Sequence, residues 1–368
     1  MILTDEMKTN LRIPYALRLV PEASFANLLP RPDSPQPGDI VLARLEKVGK
    51  NAHLELTDGR RCTLHEHDLL AVVFGNRYAP RQFEGYARTN GDACDLLSIG
   101  GLCGLVKSKH DSVAEPTRLR LLGAFGDADG HPLRLQDFTV TQTSQEPASQ
   151  PRNGGQEEPK IIAVCGTSMD AGKTYTAMSL IIGLRRQGYR VAAIKLTGTA
   201  TGSDRWSMVD AGACVALDFI DGGWPATYLC TVDELMHLYN LLISHVTAQG
   251  VDCVVVEISD GLLQPETQAL LQIPRFANTV SAWVLASGDP LGAFGGVSLL
   301  RQWQIEPFAV SGIISMSALG IREVQTATGV QCLNARQLQS GDVVGQHLKV
   351  LSQSYAHIAP NQAELAKV

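Results

Sequence analysis

The chain has 368 residues, 45% of them hydrophobic and 18% charged, with a formal net charge of −6. That length and apolar content provide for two buried cores, so two domains are the starting expectation. The acidic balance and the lack of any Lys/Arg block argue against a duplex nucleic-acid or membrane-surface partner and leave small molecules.

In chain order, the first stretch of about 30 residues reads as a short helix and an extended arm, by the usual looseness of termini. The opening residues MILTDEMKTNLRIP carry no apolar h-region, and the eight cysteines form no CxxC pair. A cytosolic protein with reduced thiols and no zinc site is expected, and no apolar run approaches a membrane span. From residue 35 to 140, runs such as DIVLARLEKV, AHLELTDGRRCTL and LLAVVFG are punctuated by DG, GN and GG. They predict strands joined by tight turns, hence a small β-rich N-terminal domain over residues 1–140, a barrel or a sandwich. Residues 141–159, TQTSQEPASQPRNGGQEEP, are nearly free of large apolar side chains and read as a disordered linker.

Behind the linker the period changes. IIAVC reads as a strand, residues 173–187 as a helix closed by Gly188, and RVAAIK as the next strand. ATYLC, the helix VDELMHLYNLLISHVTAQ and the strand VDCVVVEI follow, and the alternation continues through TVSAWVLA, AFGGVSLLRQWQ and PFAVSGIIS. Strands apolar on both sides, alternating with helices, predict an α/β domain over residues 160–368 with a mostly parallel sheet flanked by helices.

Between IIAVC and its helix lies GTSMDAGKT, residues 166–174, in which Gly166 and Gly172 flank five residues where the usual phosphate-loop signature has four. A strand that turns through glycine into a helix offers free backbone N–H groups and a positive dipole end to an anion. Gly166, Thr167, Asp170, Ala171, Gly172, Lys173, Thr174 and Tyr175 are therefore the candidate nucleotide-binding residues, Lys173 as a charge on the phosphates and Thr174 as a hydroxyl for Mg²⁺. RVAAIK ends in Lys195 and opens into LTGTATGSD at the carboxyl edge of the sheet, where Lys195 is placed to reach a transferring phosphate or else is a surface lysine. VDCVVVEISDG ends its strand in Glu257, the position a nucleotide-bound Mg²⁺ requires. Asp260 fits a turn cap better. Asp204, Asp210 and Asp218 are candidates for a second magnesium carboxylate, with Asp204 preferred as nearest the loop.

The set GTSMDAGKT, AAIK and VVVEISDG resembles the phosphate-loop NTP-binding superfamily of dethiobiotin synthetase, the cobyrinic acid amide synthases and the molybdopterin-guanine dinucleotide accessory protein MobB. The resemblance covers residues 160–329 and not the N-terminal part. It implies that Lys173 and Lys195 act catalytically on the phosphates, that Thr174 and Glu257 hold magnesium, and that Asp170 stands where the family has its loop acid. Ser168 replaces the loop aspartate of dethiobiotin synthetase. DRWSMVDAGA, residues 204–213, resembles a stretch after the second strand of MobB, whereas TGTATGS replaces the His-containing segment of that protein.

Other groups carry weaker signals. Asp289 before Pro290 suits a helix start, and SGDPLGAFGG is a candidate substrate loop. LHEHD, residues 64–68, is a polar turn cluster in preference to a metal site. NRYAPRQFEGY, residues 76–86, concentrates Arg and aromatic residues and reads as a domain interface, with contact to a substrate anion as the alternative. Trp206, Trp224, Trp283 and Trp303 are expected in cores or interfaces. Two functions follow: an ATP-dependent ligase or kinase that phosphorylates a small carboxylate or carbamate, or a GTP-binding accessory protein of the MobB kind. A homodimer is compatible with the apolar helix AFGGVSLL.

Overall fold

The computed structural model describes residues 2–143 and 158–349. Most of the expected linker, residues 144–157, lies outside the described residues, as does the end of the chain from residue 350.

Ten strands fall in the first part of the chain: β1 (Leu11–Arg12), β2 (Asn27–Leu29), β3 (Ile40–Lys47), β4 (His53–Glu55), β5 (Arg61–Thr63), β6 (Leu69–Phe74), β7 (Phe83–Tyr86), β8 (Ala93–Leu96), β9 (Leu102–Lys109) and β10 (Thr117–Gly126). Going round the sheet, β6, β3, β10, β8 and β9 are hydrogen-bonded in turn, and a parallel β6–β9 pairing closes the ring. The result is a five-stranded barrel, which leaves those strands no open edge. The run IVLARLEK is apolar on both sides because both faces of β3 are covered. Val41, Ala43 and Leu45 point into the barrel with Leu70, Val72 and Phe74, while Ile40 and Leu42 join the larger core shared with the second part of the chain. The DG of LTDGR turns the β4–β5 hairpin. LHEHD forms the turn between β5 and β6, with His67 at φ 77° and Asp68 accepting from the His65 amide.

The second part carries β11 (Lys160–Gly166), β12 (Val191–Lys195), β13 (Val215–Asp218), β14 (Cys253–Glu257), β15 (Ala282–Ala286) and β16 (Ala309–Ser311). They form one parallel sheet in the order β13-β12-β14-β11-β15-β16. Alternate residues of each strand face opposite layers. Ile162, Val164 and Val255 meet Leu180, Ile181 and Leu184 of the helix Lys173–Arg186. Ala163, Cys165 and Val254 face the layer containing the helices Val232–Ala248, Pro265–Leu271 and Pro290–Gln302. The sheet is thus sandwiched between helices, a mixed α/β arrangement. One element differs from expectation. ATYLC is no strand, since Leu229 sits at φ 66° and only Ala226 makes a single bridge to Thr199. The edge strand is VALD, Val215–Asp218, whose short length hides its period in the sequence.

The opening arm is not loose. After the helix Asp5–Thr9, the turn Tyr15–Leu17 is fully buried in the shared core. The Tyr15 hydroxyl donates to Asp218 Oδ2 at 2.6 Å, and Arg18 Nη2 lies 2.9 Å from Asp218 Oδ1 and 2.7 Å from Asp221 Oδ2. Trp206 meets the Tyr15 ring edge-on at 6.3 Å, and Ser98 Oγ donates to the Ala200 carbonyl at 2.8 Å. Glu55 accepts from the Gly202 amide, also at 2.8 Å. These contacts fix the barrel against the LTGTATGS loop. Among the described residues no helix is long and apolar enough to cross a membrane.

Candidate functional site

Parallel register explains why the candidate residues meet. Lys195 pairs with Glu257 on one side and Asp218 on the other, and Glu257 pairs with Val164 two residues before the phosphate loop starts. The carboxyl ends of β11, β12, β13 and β14 therefore form one row, the edge at which open α/β sheets bind ligands.

The loop between β11 and its helix curls through two left-handed residues, Asp170 at φ 63° and Gly172 at φ 94°. Gly172 opens the helix Lys173–Arg186 without a side-chain cap, so the first-turn amides have no intrahelical partner. A Cβ on Gly166 would lie 2.7 Å from Lys173 Cγ. Glycine there lets the lysine fold back across the loop, and its Nζ donates to the Ser168 carbonyl at 2.8 Å. Burial pulls the Lys173 ammonium below the usual lysine range, against the nearby carboxylates of Glu257 and Asp260. An anion in the loop would compensate that buried charge.

Thr174 Oγ1 donates to Glu257 Oε1 at 3.0 Å. Glu257 is 1% exposed, yet among the described residues its second oxygen, Oε2, has no hydrogen-bond partner. An orphaned carboxylate oxygen beside a threonine hydroxyl at the mouth of an anion loop is a donor set that fits Mg²⁺. Glu257→Gln is expected to raise the half-saturating Mg²⁺ concentration for nucleotide binding about tenfold. An unchanged magnesium titration would place the metal ligand elsewhere.

Lys195 Nζ contacts the Asp204 carboxylate and lies 3.6 Å from Glu257 Oε1. Asp204, preferred as a second magnesium ligand, is thus engaged by Lys195 in the first turn of the helix Ser203–Asp210. Asp218 is committed to Tyr15 and Arg18, which removes it from the metal candidates. Asp170 is exposed and pairs with Arg81 of the barrel at 3.3 Å. Tyr175 is half exposed, and Thr167 anchors the loop by donating its amide to Ala286 at 2.9 Å. Ala171 accepts from the Ile313 amide at 3.1 Å. Asp289 caps the helix Pro290–Gln302 as expected, accepting from Gly292 at 2.8 Å.

Two residues gain importance from the structure. Asp260 does not cap the turn: among the described residues no hydrogen bond reaches its carboxylate, and burial raises it above the usual Asp range despite Lys173, Lys195 and Arg77 nearby. Its backbone is held through Ser259, whose amide donates to Thr197 Oγ1 at 2.8 Å and whose carbonyl accepts from Thr267 Oγ1 at 2.9 Å. Arg77, from NRYAPRQFEGY, is also buried. Both line a cavity of about 320 Å³ between the barrel and the sheet edge, with Lys195, Asp204, Lys50 and Gln82 among its other walls. The Arg-rich stretch had marked an interface, and the cavity lies in that interface.

No protein-family model and no curated protein matches the sequence. Solved structures give distant likenesses. The signal recognition particle 54 kDa protein of Aeropyrum pernix K1 in complex with GDP is 20% identical, with TM-score 0.35, over 58% of this chain and 53% of that one. A DUF1611 family protein of Anabaena variabilis is 16% identical, with TM-score 0.37, over 56% and 63%. The signal recognition particle receptor FtsY of Elizabethkingia anophelis is 13% identical, with TM-score 0.34, over 55% and 68%. The chain spans about half the length of the first of these structures. Likenesses this distant carry no information on function, which must come from the site's own geometry.

Proposed function

We propose that the protein is a magnesium- and nucleotide-dependent phosphoryl-transfer enzyme, with ATP as donor, that activates a small carboxylate or carbamate. The observation that carries this reading is the position of Lys195, in register with Glu257 beside the phosphate loop and at the same time on the wall of the cavity. A phosphate chain seated on the loop would place its terminal group between Lys173 and Lys195, and an acceptor in the cavity would approach from the barrel side. Magnesium, when bound by Thr174 and Glu257, supplies charge neutralisation on the phosphates. Lys173 and Lys195 stabilise the charge that spreads over the transferring group, and the barrel shields the cavity from water.

The test is nucleoside diphosphate release from ATP and from GTP with Mg²⁺, with and without pooled cell metabolites. Stimulated release is expected, and Lys195→Ala is expected to slow it by about 10²–10³ while nucleotide binding stays near wild type. Equal loss of binding and turnover would make Lys195 a ground-state phosphate ligand instead.

A second reading is supported by Leu291, Phe294, Ile313, Met316 and Leu319, which are exposed on the helix Pro290–Gln302 and on the segment after β16 that touches the phosphate loop. Exposed apolar side chains at this place suit a second copy of the chain or a partner enzyme, as a nucleotide-binding accessory protein requires. Tight binding of GTP without stimulated turnover would favour that reading.

A further inference from the structure

Arg77 is a buried cation that makes no ion pair among the described residues, its nearest opposing charge being that of Asp260 on the same cavity wall. Its side chain comes from the barrel, 6% of its surface is exposed, and among the described residues no carboxylate lies within ion-pair distance. Its guanidinium donates to the Leu97 carbonyl and, at 2.8 Å, to Gln82 Oε1, both neutral groups, and among the described residues Nε has no partner. Burial pulls its proton affinity down to about 10, with only the charge of Asp260 acting against that. A desolvated charge of this kind is costly unless an opposite charge joins it. Arg77 nonetheless lines the cavity, whose walls carry three cations, Lys50, Arg77 and Lys195, against two carboxylates, Asp204 and Asp260. Lys195 is already engaged with Asp204. Lys50 makes no ion pair among the described residues, and it also borders a neighbouring cavity beside Arg81 and Asp170.

We infer that the barrel forms the specificity half of the acceptor site, and that the acceptor is a small acid with a second anionic group, held by Arg77 and Lys50 while its reacting end faces Lys195. The inference rests on the phosphoryl-transfer reading for the word acceptor, whereas the anion subsite itself stands on Arg77 and the cavity. Guanidinium and ammonium together suit a carboxylate or a phosphate. The cavity volume, at the small end for ligand pockets, limits the molecule to metabolite size. The two cavity cations that make no ion pair among the described residues, Arg77 and Lys50, both come from the barrel, which gives the barrel its role.

The experiment is calorimetric titration of the full chain, saturated with Mg²⁺ and a non-hydrolysable ATP analogue, with three probes: glutarate, inorganic phosphate and the neutral glutaramide. Binding of glutarate, phosphate or both is expected, with none of glutaramide, and the stronger anion tells whether the second group is a carboxylate or a phosphate. Arg77→Gln is expected to weaken that binding at least tenfold, Arg77→Lys less, and the exposed Lys50→Gln severalfold, with the analogue bound as in wild type. If Arg77→Gln does not fold, Lys50→Gln and Arg77→Lys carry the comparison. Anion binding that is absent while the analogue binds, or equal in the variants and wild type, overturns the inference. Failure of the analogue to bind, with anion binding still dependent on Arg77, would instead sink the nucleotide reading and leave the anion subsite standing.

Discussion

Replacing Lys173 by alanine is expected to weaken nucleotide binding by on the order of 3 kcal/mol, about two orders of magnitude, without unfolding the protein. The lysine lies across Gly166 with its ammonium held by the Ser168 carbonyl, a neutral acceptor, in the absence of a ligand. Burial outweighs the pull of Glu257 and Asp260 and lowers the proton affinity of this ammonium, so the charge as it stands costs the fold. The native state gives up this proton more readily than the unfolded chain. The cost therefore persists below the native lysine's titration and fades as pH rises through it. The variant should accordingly keep or raise its unfolding midpoint at neutral pH while losing affinity for a fluorescent nucleotide analogue. Undiminished affinity would refute the assignment of the loop. A collapse of the fold would show that Lys173 is structural.

The second large effect lies away from the loop. Arg18→Met is expected to cost about 3–5 kcal/mol of stability, because it leaves Asp218 and Asp221 buried side by side without their cation. Burial already raises the Asp221 carboxyl above its ordinary range, with Arg18 opposing that rise. A carboxyl raised in the native state favours folding at acid pH and loses that contribution as pH climbs through its native titration. Without Arg18 the rise is larger, so the deficit against wild type should widen from acid to neutral pH. Urea unfolding at several pH values measures it. A deficit below about 1 kcal/mol, or one independent of pH, would mean that water enters and solvates the two carboxylates. The same contacts seat the N-terminal segment against β13, so the variant also tests whether the barrel's placement depends on them.

The placement of the candidate residues was legible because strand ends are legible. Buried runs that stop at Lys195 and Glu257, and a glycine turn into a helix at Gly172, fix their own positions at a parallel sheet edge, and register then makes them neighbours. The pairing of Asp218 with Tyr15 and Arg18 was not legible, since it joins residues 203 and 200 positions apart and no local pattern encodes it. The short helix of the opening segment was legible, but the burial of the arm behind it was not, for the same reason: termini are loose by default, and only the tertiary contact shows that Tyr15 is a core residue. Asp260 looked like a turn cap because Asp before Gly usually is one. Its carboxylate instead faces a cavity half built by the barrel, and that half carried no motif. Arg77 was visible only as part of an Arg- and Tyr-rich stretch that reads as an interface, with an anion contact as the alternative; the structure places it in the interface, on the cavity wall.

The measurement that tests the central claim most directly is the fate of the γ-phosphoryl group of γ-labelled ATP incubated with Mg²⁺, the protein and a cell metabolite extract. The account predicts label in a small acidic product, or in inorganic phosphate released only when the extract is present, with neither seen for Lys173→Ala or Lys195→Ala. Label that stays in ATP despite tight nucleotide binding would contradict phosphoryl transfer and leave a nucleotide-binding protein that serves a partner.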